Sequence, residues 1–168
     1  MFIAEYIADF ASRAPGSLAV IHNGRAISYR AFAGAIAHAS RELVPHLPPR
    51  PATVGITIDD LADCWVATLA LQALGYTTIC AASREGLASL EVENLCAIVV
   101  SAVEGRVPEV QDAARVYAMD KPVYEEVQRL DVPALAETTD DCGHILYTSG
   151  TTGKYEKVFK PAATQCES

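Results

Sequence analysis

The chain has 168 residues, 51% of them hydrophobic and 20% charged, which fits one globular domain and excludes a disordered segment. Thirteen basic residues against twenty-one acidic ones leave a net charge of −8, so no nucleic-acid partner is expected. Met1-Phe-Ile-Ala-Glu-Tyr6 has no basic start of the signal-peptide kind, and no apolar run approaches the ~20 residues that cross a bilayer. The expectation is a soluble, cytoplasmic protein with no membrane partner.

Phe2, Tyr6, Ile7 and Phe10 recur at helical spacing, and Pro15-Gly16 closes that helix. Leu18 to Ile21 and Ala26 to Ser28 flank Asn23-Gly24, a pair that tolerates the positive φ of a tight hairpin turn. Ser28 is suited to cap a helix running to about Leu43, after which Pro45, Pro48, Pro49 and Pro51 make a stiff connection. Thr53 to Ile58 reads as a strand. Asp59 or Asp60 then caps a helix over Leu61 to Leu74, with Gly75 as its stop.

Thr77 to Cys80 and Ala97 to Val100 are short, apolar and β-branched, as strands buried on both faces are. A weaker helix and strand occupy about Val107 to Tyr117, Tyr124 to Leu130 is ambiguous between types, and His144 to Tyr147 is a further strand. The alternation predicts an α/β fold with a largely parallel sheet flanked by helices, a single domain over 1–168 with a frayed tail at 161–168.

The most informative stretch follows that last strand: Thr148-Ser149-Gly150-Thr151-Thr152-Gly153-Lys154. Glycines let backbone N–H groups approach a ligand closely, hydroxyls add adaptable donors and a lysine adds a point charge, which together suit phosphate oxygens. Walker A spacing is absent, because only Thr151 and Thr152 separate Gly150 from Gly153. A plain polar turn between two strands is the alternative. Lys154, Lys157 and Lys160 cluster here in an otherwise acidic chain, which favours a polyanion.

Other chemistry is weaker. The five cysteines (Cys64, Cys80, Cys96, Cys142, Cys166) form no C-x-x-C pair and read as free thiols, most of them buried. Cys142 and His144 share a strand face, but nothing supplies an oxyanion hole or an orienting acid. Trp65 reads as a core residue, with the lining of a substrate pocket as the alternative, and His22 as an exposed turn residue. His38 and His46 lack spaced partners for a metal, and the adjacent acids Glu125-Glu126 and Asp140-Asp141 diverge on any regular element. No catalytic residue and no metal site are assigned.

Tyr147-Thr-Ser-Gly-Thr-Thr-Gly-Lys154 resembles the signature loop of the adenylate-forming (AMP-binding) superfamily, which includes acyl-CoA synthetases, nonribosomal peptide synthetase adenylation domains and luciferases. Ile27-Ser-Tyr-Arg-Ala-Phe32 resembles that family's early L-T-Y-x-E-L element, without its acidic residue at Ala31. Leu69-Ala-Leu-Gln-Ala-Leu-Gly-Tyr76 resembles its L-x-x-L-K-A-G-A helix end. The opening helix and Ala19 to Ile27 are also similar to the family's beginning. The resemblance covers nearly the whole chain and only the first portion of the family's large N-terminal domain.

It implies a loop that handles the β- and γ-phosphates of ATP while a carboxylate attacks the α-phosphate, giving an acyl-adenylate and pyrophosphate. A thioester with CoA or a carrier thiol follows. The residues implied are Thr148, Ser149, Gly150, Thr151, Thr152, Gly153 and Lys154, with Mg2+ as a further requirement of the complete enzyme.

Where the family loop continues Pro-Lys-Gly-Val, this chain has Tyr155-Glu156-Lys157-Val158. Glu156 opposes polyphosphate, and Lys157 stands one residue late, on the opposite face of an extended segment. The family's metal-holding acid, adenine and ribose contacts and catalytic lysine lie beyond Ser168, as do most residues that shape its acid pocket. The expectation is therefore the N-terminal fragment of an ATP-dependent acid–thiol ligase, inactive alone. Its partners would be ATP, a carboxylic acid and the remainder of the ligase. A sheet ending here should also expose apolar surface and favour self-association. The alternative is a non-catalytic protein-interaction module derived from the same fold.

Overall fold

The β-branched runs supply the strands of a six-stranded sheet in a computed structural model that describes residues 3–102, 115–125, 142–149 and 155–162. In chain order the sheet comprises β3 (Thr53–Thr57), β4 (Thr77–Cys80), β5 (Leu95–Ser101), β6 (Arg115–Met119), β7 (Gly143–Ser149) and β8 (Tyr155–Pro161). They lie side by side as β6-β5-β3-β4-β7-β8. Each neighbouring pair is parallel except β7 with β8, which is antiparallel. A separate hairpin pairs β1 (Leu18–His22) with β2 (Arg25–Ser28). Its turn uses positive φ at Asn23 (49°) and Gly24 (75°), as the Asn-Gly pair predicts.

Three helices cover one face: α1 (Ile3–Arg13), α2 (Tyr29–Leu43) and α3 (Leu61–Ala73). Their starts follow the polar residues read from sequence. Ser28 Oγ accepts from the Ala31 N–H at 3.1 Å. Of the two candidate caps at α3, Asp60 is the one used, with Oδ1 accepting from Ala62 and Asp63 at 3.0 and 3.1 Å. Each such cap is worth about 1 kcal/mol. Gly75, at φ 83°, lets the chain turn away after α3. α3 is apolar nearly all round and is buried between the sheet and α2 over most of its surface.

The opposite face of the sheet is covered by α4 (Arg84–Ser89), which the sequence reading does not identify. Six residues are too few to show a helical period; the local signal is Ser83, whose hydroxyl accepts from the Gly86 N–H at 3.1 Å. Leu87 and Leu90 from this turn meet Ile79, Ile98 and Val100. Gly55 in β3 makes room for them, since a Cβ there would lie 2.6 Å from Leu87 Cδ1. The region read as Val107 to Tyr117 yields β6 at its end; residues 107–114 lie outside the described residues, as does most of Tyr124 to Leu130. The tail at 161–168 is described only at Pro161, the last residue of β8, and Ala162, which is buried against Cys142.

β8 is the extended segment expected after the loop, and it reaches Pro161. Its register with β7 runs from Gly143↔Pro161 to Ser149↔Tyr155. Gly143 is required by space: a Cβ there would sit 2.2 Å from the Lys160 carbonyl oxygen. Backbone cannot yield as a flexible side chain can, so Gly143→Ala should lower unfolding stability by about 2 kcal/mol or more, read from urea denaturation. A neutral result would mean that β8 shifts without cost.

Candidate functional site

The candidate loop is held by the strand that leads into it. Thr78 on β4 is fully buried, and its hydroxyl touches three groups. Gln72 Nε2 of α3 donates to it at 3.2 Å; it lies 3.2 Å from the Gly143 carbonyl and 2.8 Å from His144 Nδ1. A hydroxyl has one hydrogen and two acceptor lone pairs. All three contacts are satisfied only if Thr78 donates to Gly143 O and accepts from both Gln72 and His144. That assignment puts the His144 proton on Nδ1 and leaves Nε2 an acceptor. Burial holds the His144 pKa below the ordinary histidine value, consistent with a neutral ring.

β7 continues past the point where β4 stops. Thr78 and Ile79 pair with His144 and Ile145, so Leu146 to Ser149 run on with β8 as their partner. Because β3 to β7 are parallel, Ser149 emerges at the same edge as the carboxyl ends of the other strands, where ligands bind in open α/β sheets. Of the predicted phosphate-binding residues, Thr148 is placed there with an exposed side chain and Ser149 is the last residue of the strand. Gly150, Thr151, Thr152, Gly153 and Lys154 join β7 to β8 and lie outside the described residues.

The lysines behave differently from one another. Lys157 donates to the carbonyls of Leu90 and Glu91, both at 2.8 Å, and so neutralises the carbonyl end of α4. It lies on the face away from Thr148, as strand alternation predicts, and is committed to structure there rather than to a ligand. Glu156 is exposed and pairs directly with Thr148 across the two strands, so its carboxylate shares a face with the loop's first hydroxyl. Lys160 pairs with His144 and lines a cavity.

That cavity, of about 500 Å³, lies between α1, α3 and the β7–β8 strands. Its wall is mainly apolar, with Ile7, Val20, Leu69 and Leu146 among its residues, and Trp65, Cys80, His144 and Lys160 contribute distinct chemistry. Trp65 is not the core residue expected from sequence: it is 50% exposed, and with Leu61 it forms an exposed stripe of α3. An almost wholly apolar helix gives no sequence signal for which stripe stays open. Leu146, Val158 and Phe159 are also exposed.

His22 likewise differs from expectation. Its ring is partly buried and its Nε2 meets Asp60 Oδ2 at 3.1 Å, tying the hairpin to the start of α3. Burial raises the Asp60 pKa, but hydrogen bonds from the Asp63 N–H and from His22 outweigh it and hold the group below the ordinary aspartate value. Tyr124 donates to Asp63 Oδ1 at 2.6 Å under the guanidinium of Arg25, 5.3 Å from the ring centre. Sequence gives no signal for these pairs, whose members lie far apart in the chain. Cys142 is buried against Ala162, and His144 is engaged with Thr78, so the two hold the start of β7. No helix among the described residues is long and apolar enough to cross a membrane.

The depressed His144 pKa fixes a pH response. The unfolded histidine takes up a proton near its ordinary value of 6.5, whereas the folded one does so only at lower pH. The unfolded state thus binds more protons as pH falls from about 7 to about 5, and stability drops over that interval. Asp60 titrates below this window. His144→Asn, which keeps a donor toward Thr78, should flatten the decline in urea midpoints; an unchanged slope would refute the buried neutral ring.

No protein-family model matches the chain, and no curated protein matches it by sequence. Solved structures do match its fold. The N-terminal subdomain of Klebsiella oxytoca NpsA in complex with 3-hydroxybenzoyl-AMSN superposes with a TM-score of 0.69 and 22% identity over 96% of this chain and 41% of that one. O-succinylbenzoate coenzyme A synthetase (MenE) of Bacillus subtilis, in complex with AMP, gives 0.70 and 20% over 93% and 42%. The nonribosomal peptide synthetase FmoA3, bound to alpha-methyl-L-serine-AMP, gives 0.70 and 15% over 96% and 18%. The chain thus spans less than half the length of each. It shares the mostly parallel α/β fold of part of each of these proteins, in NpsA that of the N-terminal subdomain.

Proposed function

We propose that this chain is the phosphate-gripping N-terminal portion of an ATP-dependent acid–thiol ligase and does not complete adenylation by itself. One observation carries the reading: β7, pinned by Thr78, delivers Thr148 and Ser149 to the carboxyl edge of the sheet, and the Gly150–Lys154 run follows at once. The donor set of that run fits phosphate oxygens, with hydroxyls and backbone N–H groups around one lysine. ATP, when bound, would supply an electrophilic α-phosphate and a pyrophosphate leaving group. Thr148, Ser149, Thr151, Thr152 and Lys154 would hold the β- and γ-phosphates, with Gly150 and Gly153 permitting the backbone approach.

Among the described residues no group of three or more His, Cys, Asp or Glu could hold a metal, so no step is assigned to Mg2+ here. Gripping the phosphates alone provides a fraction of the electrostatic stabilisation that adenylyl transfer to a carboxylate requires. The exposed surface around Trp65, Leu146 and Val158 is where the remainder of a ligase, or a second copy, would pack. The acid substrate and the choice between CoA and a carrier thiol would be set by that remainder.

A second reading, an interaction module that no longer binds nucleotide, is favoured by two details. Glu156 sits opposite Thr148, and Lys157 is bound to the end of α4. Two measurements separate the readings. The purified chain should bind ATP weakly, and Lys154→Ala should weaken that binding about tenfold, the loss of one screened charge contact. Labelled pyrophosphate should not exchange into ATP with any carboxylic acid tested. No ATP binding would favour the interaction module, and measurable exchange would refute inactivity.

A further inference from the structure

Cys80 in the cavity wall and Cys64 behind it form a pair of thiols that the proposed phosphate site does not use. Cys64 projects from the first turns of α3 and Cys80 from the carboxyl end of β4, and their sulfurs lie 3.6 Å apart. Both are free. Their accessibility differs: Cys64 is buried, whereas Cys80 is partly exposed and lines the cavity. Thr68, one turn along α3, donates to the Cys64 carbonyl at 2.8 Å and places its hydroxyl 3.5 Å from Cys80 Sγ. A reachable sulfur with a second sulfur directly behind it is the arrangement of an attacking and a resolving thiol.

We propose that Cys80 and Cys64 form a peroxide-responsive dithiol, with Cys80 oxidised from the cavity and Cys64 closing a disulfide behind it. The chemistry balances with hydrogen peroxide as the oxidant. The Cys80 thiolate attacks one peroxide oxygen, the O–O bond breaks, and Cys80 becomes a sulfenic acid as hydroxide leaves. Cys64 sulfur then attacks Cys80 sulfur; the S–O bond breaks, and the hydroxyl leaves as water with the Cys64 proton. Two thiols have together lost two electrons, and the peroxide has become two waters once the proton first released from Cys80 is counted. Closing from 3.6 Å to the ~2.05 Å of a disulfide is a movement of about 1.5 Å, within reach of side-chain rotation.

Local electrostatics assign the roles in the same sense. The hydrogen bond that Cys64 donates draws the Cys80 pKa below the ordinary thiol value, against the opposing effect of burial. Cys64, which retains the shared proton and is itself desolvated, is pushed up. Cys80 is therefore the better nucleophile and Cys64 the resolving group. The product would clamp α3 to β4 at the cavity wall, beside Thr78 and the exposed Trp65.

The test uses the full chain. Hydrogen peroxide is added, remaining thiols are blocked with maleimide, and non-reduced peptides are mapped by mass. The expected product is a species two hydrogens lighter with a Cys64–Cys80 linked peptide, reversed by dithiothreitol. In Cys64→Ser, Cys80 should persist as a sulfenic acid that dimedone traps about tenfold more than Cys96. Cys80→Ser should leave Cys64 reduced. Links to other cysteines, intermolecular links, oxidation of Cys64 without Cys80, or no oxidation would each overturn the proposal. The peptide map of the unsubstituted chain decides the matter even if a variant fails to fold.

Discussion

A single hydroxyl holds the sheet together at the point where the candidate site begins. Thr78 Oγ1 receives hydrogen bonds from α3 and β7 and gives one to the Gly143 carbonyl, in a place with no access to water. β4 and β7 share only two residue pairs, Thr78↔His144 and Ile79↔Ile145. So short a ladder gives little register on its own, and a buried polar triad with one satisfiable arrangement gives much more. The direction in which β7 leaves the sheet and the pairing of β8 follow from that register.

The pairing of β7 with β8 distributes charge around the loop unevenly. Lys157 turns to the α4 face and closes that helix, while Glu156 remains beside Thr148. Within an acidic chain the local field at the strand ends is therefore less positive than the lysine cluster in the sequence suggests. The phosphate-binding reading rests on Lys154 and the backbone and hydroxyl donors around it.

Much of this fold is legible in the residues. Asn23-Gly24, Ser28, the aspartates before α3 and Gly75 announce their turns, caps and stops because each is a local event in the backbone. The β-branched runs announce a buried parallel sheet. What the sequence does not disclose is long-range or short. α4 is too brief to show a period; Trp65 stands on a helix that is apolar on every side; His22 with Asp60, and Lys157 with Leu90, join residues far apart in the chain. The Cys64–Cys80 approach is likewise invisible at a separation of sixteen residues with no motif, since it arises from the crossover that lays α3 over β4.

The most direct test of the account compares Thr78→Val with Thr78→Ser by urea denaturation. Valine keeps the shape and removes the hydroxyl, leaving the buried Gln72 amide and Gly143 carbonyl without this partner, at a cost of about 1–3 kcal/mol for each unpaired group. It also frees the half-buried His144. Serine keeps the hydroxyl and loses one methyl, worth about 1 kcal/mol. The account predicts that the valine variant is the less stable of the two by about 2 kcal/mol or more. A valine variant as stable as the unsubstituted chain would show that β7 finds its place without Thr78.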